Sequence, residues 1–104
     1  MAQFDVYRNP DSRARRIIPY LLAVQSDLLR DLASRMVVPL VAAQHFGPSL
    51  TRLNPVFTIQ KARVVMSTAE MAAVPRRILR HVVGNLGGER DAIIAAIDFL
   101  IVGF

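Results

Sequence analysis

Two short arginine clusters are the most chemically loaded stretches of the chain, SRARR at residues 12–16 and RRILRH at residues 76–81. A guanidinium is planar, permanently charged and able to donate in pairs, which suits it to carboxylates, phosphates and aromatic faces. If residues 12–16 form an alternating strand, Arg13 and Arg15 share one face as a basic stripe for phosphate or an acidic peptide. The competing reading is charge that guards a sheet edge against aggregation. No aromatic residue interleaves with either cluster, which argues against single-stranded nucleic acid, and no direct nucleic-acid binding is expected. Other chemistry is sparse. His45 and His81 have no carboxylate at helical ligand spacing, so no metal site is assigned. The P-loop, GxSxG and GxGxxG motifs are absent, and no catalytic residue or cofactor is expected. For general acid–base chemistry on a basic groove, only the arginines, Thr58, Ser67 and Thr68 stand as nominees.

Composition narrows the classes further. At 104 residues the chain has room for one domain, 1–104, with a core of its own. Hydrophobic residues make up 53% and charged residues 20%, which excludes disorder and leaves more apolar surface than a small monomer hides. A second copy or an apolar partner site is therefore expected. Cysteine is absent, removing disulfides, thiolate metal sites and a cysteine nucleophile. The charged N-terminus MAQFDVYRNPD does not resemble a signal peptide, and no apolar run reaches membrane-spanning length, so a cytoplasmic protein is the plain reading. The formal net charge is +5, and every basic side chain except Lys61 is arginine, which favours an acidic partner.

The elements that must carry these residues are mostly strands. FDVY alternates, and NPDS at 9–12 reads as a turn. RRIIPYLLAVQ (15–25) and RMVVPLV (35–41) read as strands in which Pro19 and Pro39 mark an edge, bulge or bend. NPVFTI (54–59) and ARVVMST (62–68) flank Gln60-Lys61 as an antiparallel hairpin. Four or five short strands predict a small sheet or barrel. Segment 75–83 is ambiguous, with Pro75 suited to a helix start and Val82-Val83 to a strand. Beyond Gly87-Gly88, Ile93, Ile94, Ile97, Leu100 and Ile101 fall on one side of a helical wheel, with Ile93, Ile97 and Ile101 inward. Phe99, Val102 and Ala95 occupy a second apolar side, which predicts a second surface to cover.

Taken in order, several stretches resemble the CcdB family of toxins from toxin–antitoxin pairs. QFDVYRN, VQSDLL (24–29), RMVVPL (35–40), NPVFTI, MSTAEMAAVP (66–75) and a final helix ending in glycine plus a bulky apolar residue carry the likeness across nearly the whole chain. The resemblance implies a mainly β domain with an antiparallel sheet and a C-terminal helix, related to SH3-like barrels and MazF-type toxins, paired as a homodimer. It implies a non-enzymatic toxin that binds the DNA gyrase A subunit, traps cleaved DNA, and is neutralised by a CcdA-like antitoxin. Gyrase-binding positions carry over to Leu28, Leu29, Asp98, Ile101, Val102, Gly103 and Phe104. The candidates for an acidic antitoxin segment are Arg13, Arg15, Arg16, Arg76, Arg77 and Arg80. The sequence departs from the family at the tryptophan that stacks on gyrase arginines, which is here Val102. Valine has no π-face. The alternatives are a homologue that binds an antitoxin without poisoning gyrase, and a MazF-like endoribonuclease.

Overall fold

Alternating and continuous apolar runs become seven antiparallel strands followed by one helix in the computed structural model, which describes residues 2–103. The strands are β1 (Asp5–Arg8), β2 (Tyr20–Ala23), β3 (Ser34–Ala42), β4 (Val56–Ile59), β5 (Ala62–Met66), β6 (Ala72–Pro75) and β7 (Val82–Asn85); the helix is α1 (Arg90–Val102). They pair in the order β4-β5-β3-β2-β1-β7, with β6 also on β3, as a curled half-barrel. Strand β3 organises the sheet: β6 pairs its residues Ser34–Val37 and β5 pairs Leu40–Ala42. Pro39 falls in the gap between these two partners, where its missing amide interrupts neither ladder.

Both faces of the sheet are covered, which explains why β3 is almost continuously apolar. On one face Val6, Leu22, Val38, Leu40, Phe57, Ile59, Val64 and Met66 pack around Ile93 and Ala96 of α1. On the other, Tyr7, Ala23 and Val37 pack with Leu79, joined by Val74 and Ile78. The ambiguous 75–83 segment thus ends one strand, makes a short 3-10 turn at Arg76–Ile78, drops Leu79 onto the back of the sheet, and starts another strand.

Three sequence expectations need correction. The 15–25 strand begins only at Tyr20, because residues 12–17 coil in turns closed by backbone bonds from Ala14, Ile17 and Ile18. Arg13 and Arg15 therefore share no strand face. Ile101 points outward, 69% exposed, while Ile93, Ile94 and Ile97 face the core, since the sheet ends before the helix does. Phe99 turns back onto the domain, where the Arg52 guanidinium lies 4.7 Å from its ring centroid. The second apolar side is left to Leu100, Ile101 and Val102.

The Gln60-Lys61 hairpin forms as expected, with both residues at positive φ, 50° and 71°. Left-handed angles at two such residues are strained, and Asn-Gly relieves this in a two-residue hairpin. The double variant Gln60→Asn/Lys61→Gly is expected to gain roughly 0.5–1.5 kcal/mol in urea denaturation.

Tyr7 is buried, and its hydroxyl has no hydrogen-bond partner among the described residues. Burial foremost, and then the Asp5 carboxylate, push its pKa above 10.0, against a smaller opposing pull from Arg35. A raised pKa means the fold holds the neutral phenol, so its contribution is complete below pH 10 and is lost as pH climbs through the raised folded value. Tyr7→Phe should be nearly neutral at pH 7 and should flatten the fall in stability above pH 10, measured by urea denaturation at neutral and alkaline pH.

Candidate protein-binding site

The QSD run acts as scaffolding for an exposed leucine pair. Gln25 spans the 25–34 loop, its Nε2 donating to the Leu29 and Ser34 carbonyls at 3.0 and 3.3 Å while its Oε1 accepts from the Met36 amide at 3.1 Å. The Ser26 Oγ caps the 3-10 turn Asp27–Leu29 by accepting from the Leu28 amide at 3.1 Å. Asp27 Oδ1 accepts from the Gln3 amide at 2.8 Å, tying the loop to the N-terminal segment. From inside the loop the buried Arg35 donates to the carbonyls of Arg30, Leu32 and Ser34. Arg76 adds a bond to the Arg30 carbonyl at 2.9 Å. The loop is therefore held by polar bonds while its apolar side chains face water: Leu28 is 94% exposed, with Leu29 and Leu32 half exposed. The result is an ordered loop that presents leucines to water, an exposure that gains the fold itself nothing.

The helix end is the second such feature. Gly103 takes φ 82° and its amide donates to the Phe99 carbonyl at 3.0 Å, a left-handed cap that stops α1. Ile101 and Val102, 69% and 55% exposed, stand at this cap with exposed Asp98 one turn back. Phe104, the last expected site residue, lies outside the described residues. The contacts of the two features run to opposite ends of α1. Asp27 reaches Gln3, whose Oε1 meets Arg90 at the helix start at 3.5 Å, whereas Phe99 near the helix end meets Arg52. The 13-residue helix between them spans about 20 Å. The structure thus places Leu28-Leu29 and Ile101-Val102 as two apolar patches, with no described bond linking them.

The six arginines expected to meet an antitoxin also divide. Arg15 and Arg80 line one groove with Arg8, Pro10, Ile78 and His81. Arg77 borders a shallower apolar groove along Leu32–Ser34 and Ala73–Pro75. Arg76 is engaged with the leucine loop, Arg13 reaches Asp11 at 3.7 Å on the surface, and Arg16 is exposed. Sequence reasoning missed Arg8, and named His81 only within the 76–81 cluster and as a weighed metal ligand, because their convergence depends on β1 pairing with β7; it also missed Gln25, Ser26, Asp27 and Arg35 as supports.

The hydroxyls nominated for ribonuclease chemistry do other work. Thr68 is fully buried and donates to the Leu53 carbonyl, the Ser67 hydroxyl donates to Glu70 beside it, and Thr58 stands exposed on β4. These three are not gathered on the basic groove. Among the described residues no group of three or more His, Cys, Asp and Glu is placed to hold a metal, and no helix is long and apolar enough to cross a membrane.

Comparison with known protein families supplies the family assignment. The family model described as CcdB protein matches residues 3–103, which covers the sheet, the leucine loop and the helix through its cap. The chain belongs to the CcdB family. Membership in the CcdB family assigns it to the toxin side of a toxin–antitoxin system, and the mainly β half-barrel with one C-terminal helix agrees with that assignment.

Proposed function

We propose that this toxin is a homodimer that acts in the cytoplasm by binding, without catalysis, to the A subunit of DNA gyrase, and that an acidic antitoxin segment removes it. The observation that carries the reading is the capped helix end, where Ile101 and Val102 stay exposed although 53% of the chain is hydrophobic. Apolar side chains held beyond the edge of the core are suited to a partner. Gyrase engages this end together with Asp98, Gly103 and Phe104, and the ordered Leu28-Leu29 loop supplies the second patch. Pairing of two chains duplicates both patches by symmetry, since a two-fold interface uses the same surface on each copy.

The net charge of +5 supports an acidic, flexible antitoxin segment, which would fold onto the dimer as it binds. Arg15, Arg16, Arg76, Arg77 and Arg80 are its principal steering charges; Arg13 contributes less, lying 3.7 Å from the Asp11 carboxylate. The experiment is expression of the toxin alone and with its neighbouring antitoxin gene. Growth arrest relieved by the antitoxin and by gyrase A substitutions is the expected result. Arrest that persists in every gyrase background, or cleavage of RNA by the purified protein, would redirect the reading to another target.

A further inference from the structure

We infer that the groove formed by the end of β1, the 9–18 loop and the segment preceding β7 is an oxyanion site that takes a dianionic phosphate group, free or as a monoester. It encloses about 320 Å³ and is lined by Arg8, Pro10, Arg15, Ile78, Arg80 and His81, with no carboxylate among them. Its frame is fixed by backbone bonds: the Arg8 amide donates to the His81 carbonyl and the Asn9 amide to the Pro19 carbonyl, each at 2.9 Å. Buried Asn9 fastens the loop again, its Nδ2 donating to the Ile18 carbonyl at 2.8 Å.

The two flanking guanidiniums are each tied to a backbone carbonyl. Arg15 Nε donates to the Asn9 carbonyl at 2.6 Å, and Arg80 Nε donates to the Arg77 carbonyl at 3.4 Å. Each side chain thereby spends its Nε on the protein, and the terminal nitrogens, which make no bond among the described residues, remain as donors on the groove that both residues line. This is the fork geometry that binds an anion bidentately. A planar carboxylate is filled by one such fork. A phosphate dianion has three terminal oxygens and two charges, enough to accept from donors arriving on three separate segments. The groove is larger than a bare phosphate, and Pro10 and Ile78 give an apolar wall for a group esterified to it. The groove shares Arg15 and Arg80 with the charges assigned above to antitoxin steering, and the tetraglutamate arm of the test separates a phosphate site from one for an acidic peptide.

The test is an amide NMR titration of the full chain at constant ionic strength with inorganic phosphate, a nucleoside 5′-monophosphate, a dinucleotide phosphodiester and tetraglutamate. Saturable shifts at Arg8, Arg15, Arg80 and His81 with the first two probes support the site. Tighter binding of the monophosphate assigns an ester, and equal binding assigns free phosphate. Arg15→Ala/Arg80→Ala should weaken binding roughly tenfold or more, and the surface change Arg80→Gln alone should weaken it severalfold. Non-saturating shifts spread over all arginines, undiminished binding to both variants, or equal or tighter binding of the diester or of tetraglutamate would overturn the assignment.

Discussion

Val102→Trp is expected to tighten binding of this chain to the gyrase A subunit by roughly 5- to 30-fold, and to raise growth inhibition accordingly. Val102 is 55% exposed at the capped end of α1, so an indole there displaces no core contact. A ring stacked on a partner arginine adds a cation–π attraction of about 1–2 kcal/mol that a branched aliphatic lacks, which converts to that factor. Calorimetry against a purified gyrase A fragment reads the change directly. Unchanged affinity would mean that the partner's arginines do not reach position 102, and that the departure from the family pattern extends beyond one side chain.

Ile93→Ala carries the largest expected loss of stability, about 2–5 kcal/mol, with a Tm fall of roughly 10–30 °C. Ile93 is fully buried and is the helix residue around which both halves of the front-face core close. Truncation there removes contacts with the sheet and leaves a cavity that strands held by ladder bonds on either side cannot collapse to fill. The contrasting change Ile101→Ala, at a 69% exposed position, should stay within about 0.5 kcal/mol in the same thermal and urea measurements. A large effect at residue 101 would instead show that the helix end is packed in solution, as it would be within a dimer interface.

The front face of this fold was legible because its signals are local. Alternation in VFTI and ARVVM, joined by two residues, defines a hairpin with its register, and the isoleucine spacing after Gly87-Gly88 defines a helix. The back face was not, because RRILRHVV mixes helix and strand signals and its role rests on where Leu79 lands, against Tyr7 and Val37 from distant parts of the chain. Wheel geometry grouped Ile101 with Ile93 and Ile97, but a wheel carries no information about how far along the helix the core extends. Arg13 and Arg15 misled through their spacing: alternation read as a strand, whereas turns in residues 12–17 bend the chain and swing Arg15 toward Arg80.

The candidate site divides along the same line. Val102, Gly103 and Leu28 are recognisable from motif order, and the glycine cap follows from the ability of glycine alone to take a left-handed angle without strain. The supports of the leucine loop were hidden, since a glutamine, a serine and an aspartate in sequence reveal nothing of the carbonyls and amides they will meet. Arg76 shows the limit most plainly. By sequence it is one more positive charge, yet its guanidinium is bonded to the Arg30 carbonyl of the loop that presents Leu28.

The central claim is that the helix end is the effector surface, and a DNA-cleavage assay with purified gyrase tests it most directly. Wild type, Val102→Trp and a chain lacking residues 102–104 are compared at equal concentration, with circular dichroism confirming that each is folded. Ile93, Ile94 and Ile97 hold the helix to the core, so the truncated chain should keep its fold. The account predicts measurable trapping of cleaved DNA by wild type, several-fold more by Val102→Trp, and none by the truncated chain. Trapping by the truncated chain equal to wild type would contradict it, because the capped helix end would then have no part in the encounter with gyrase.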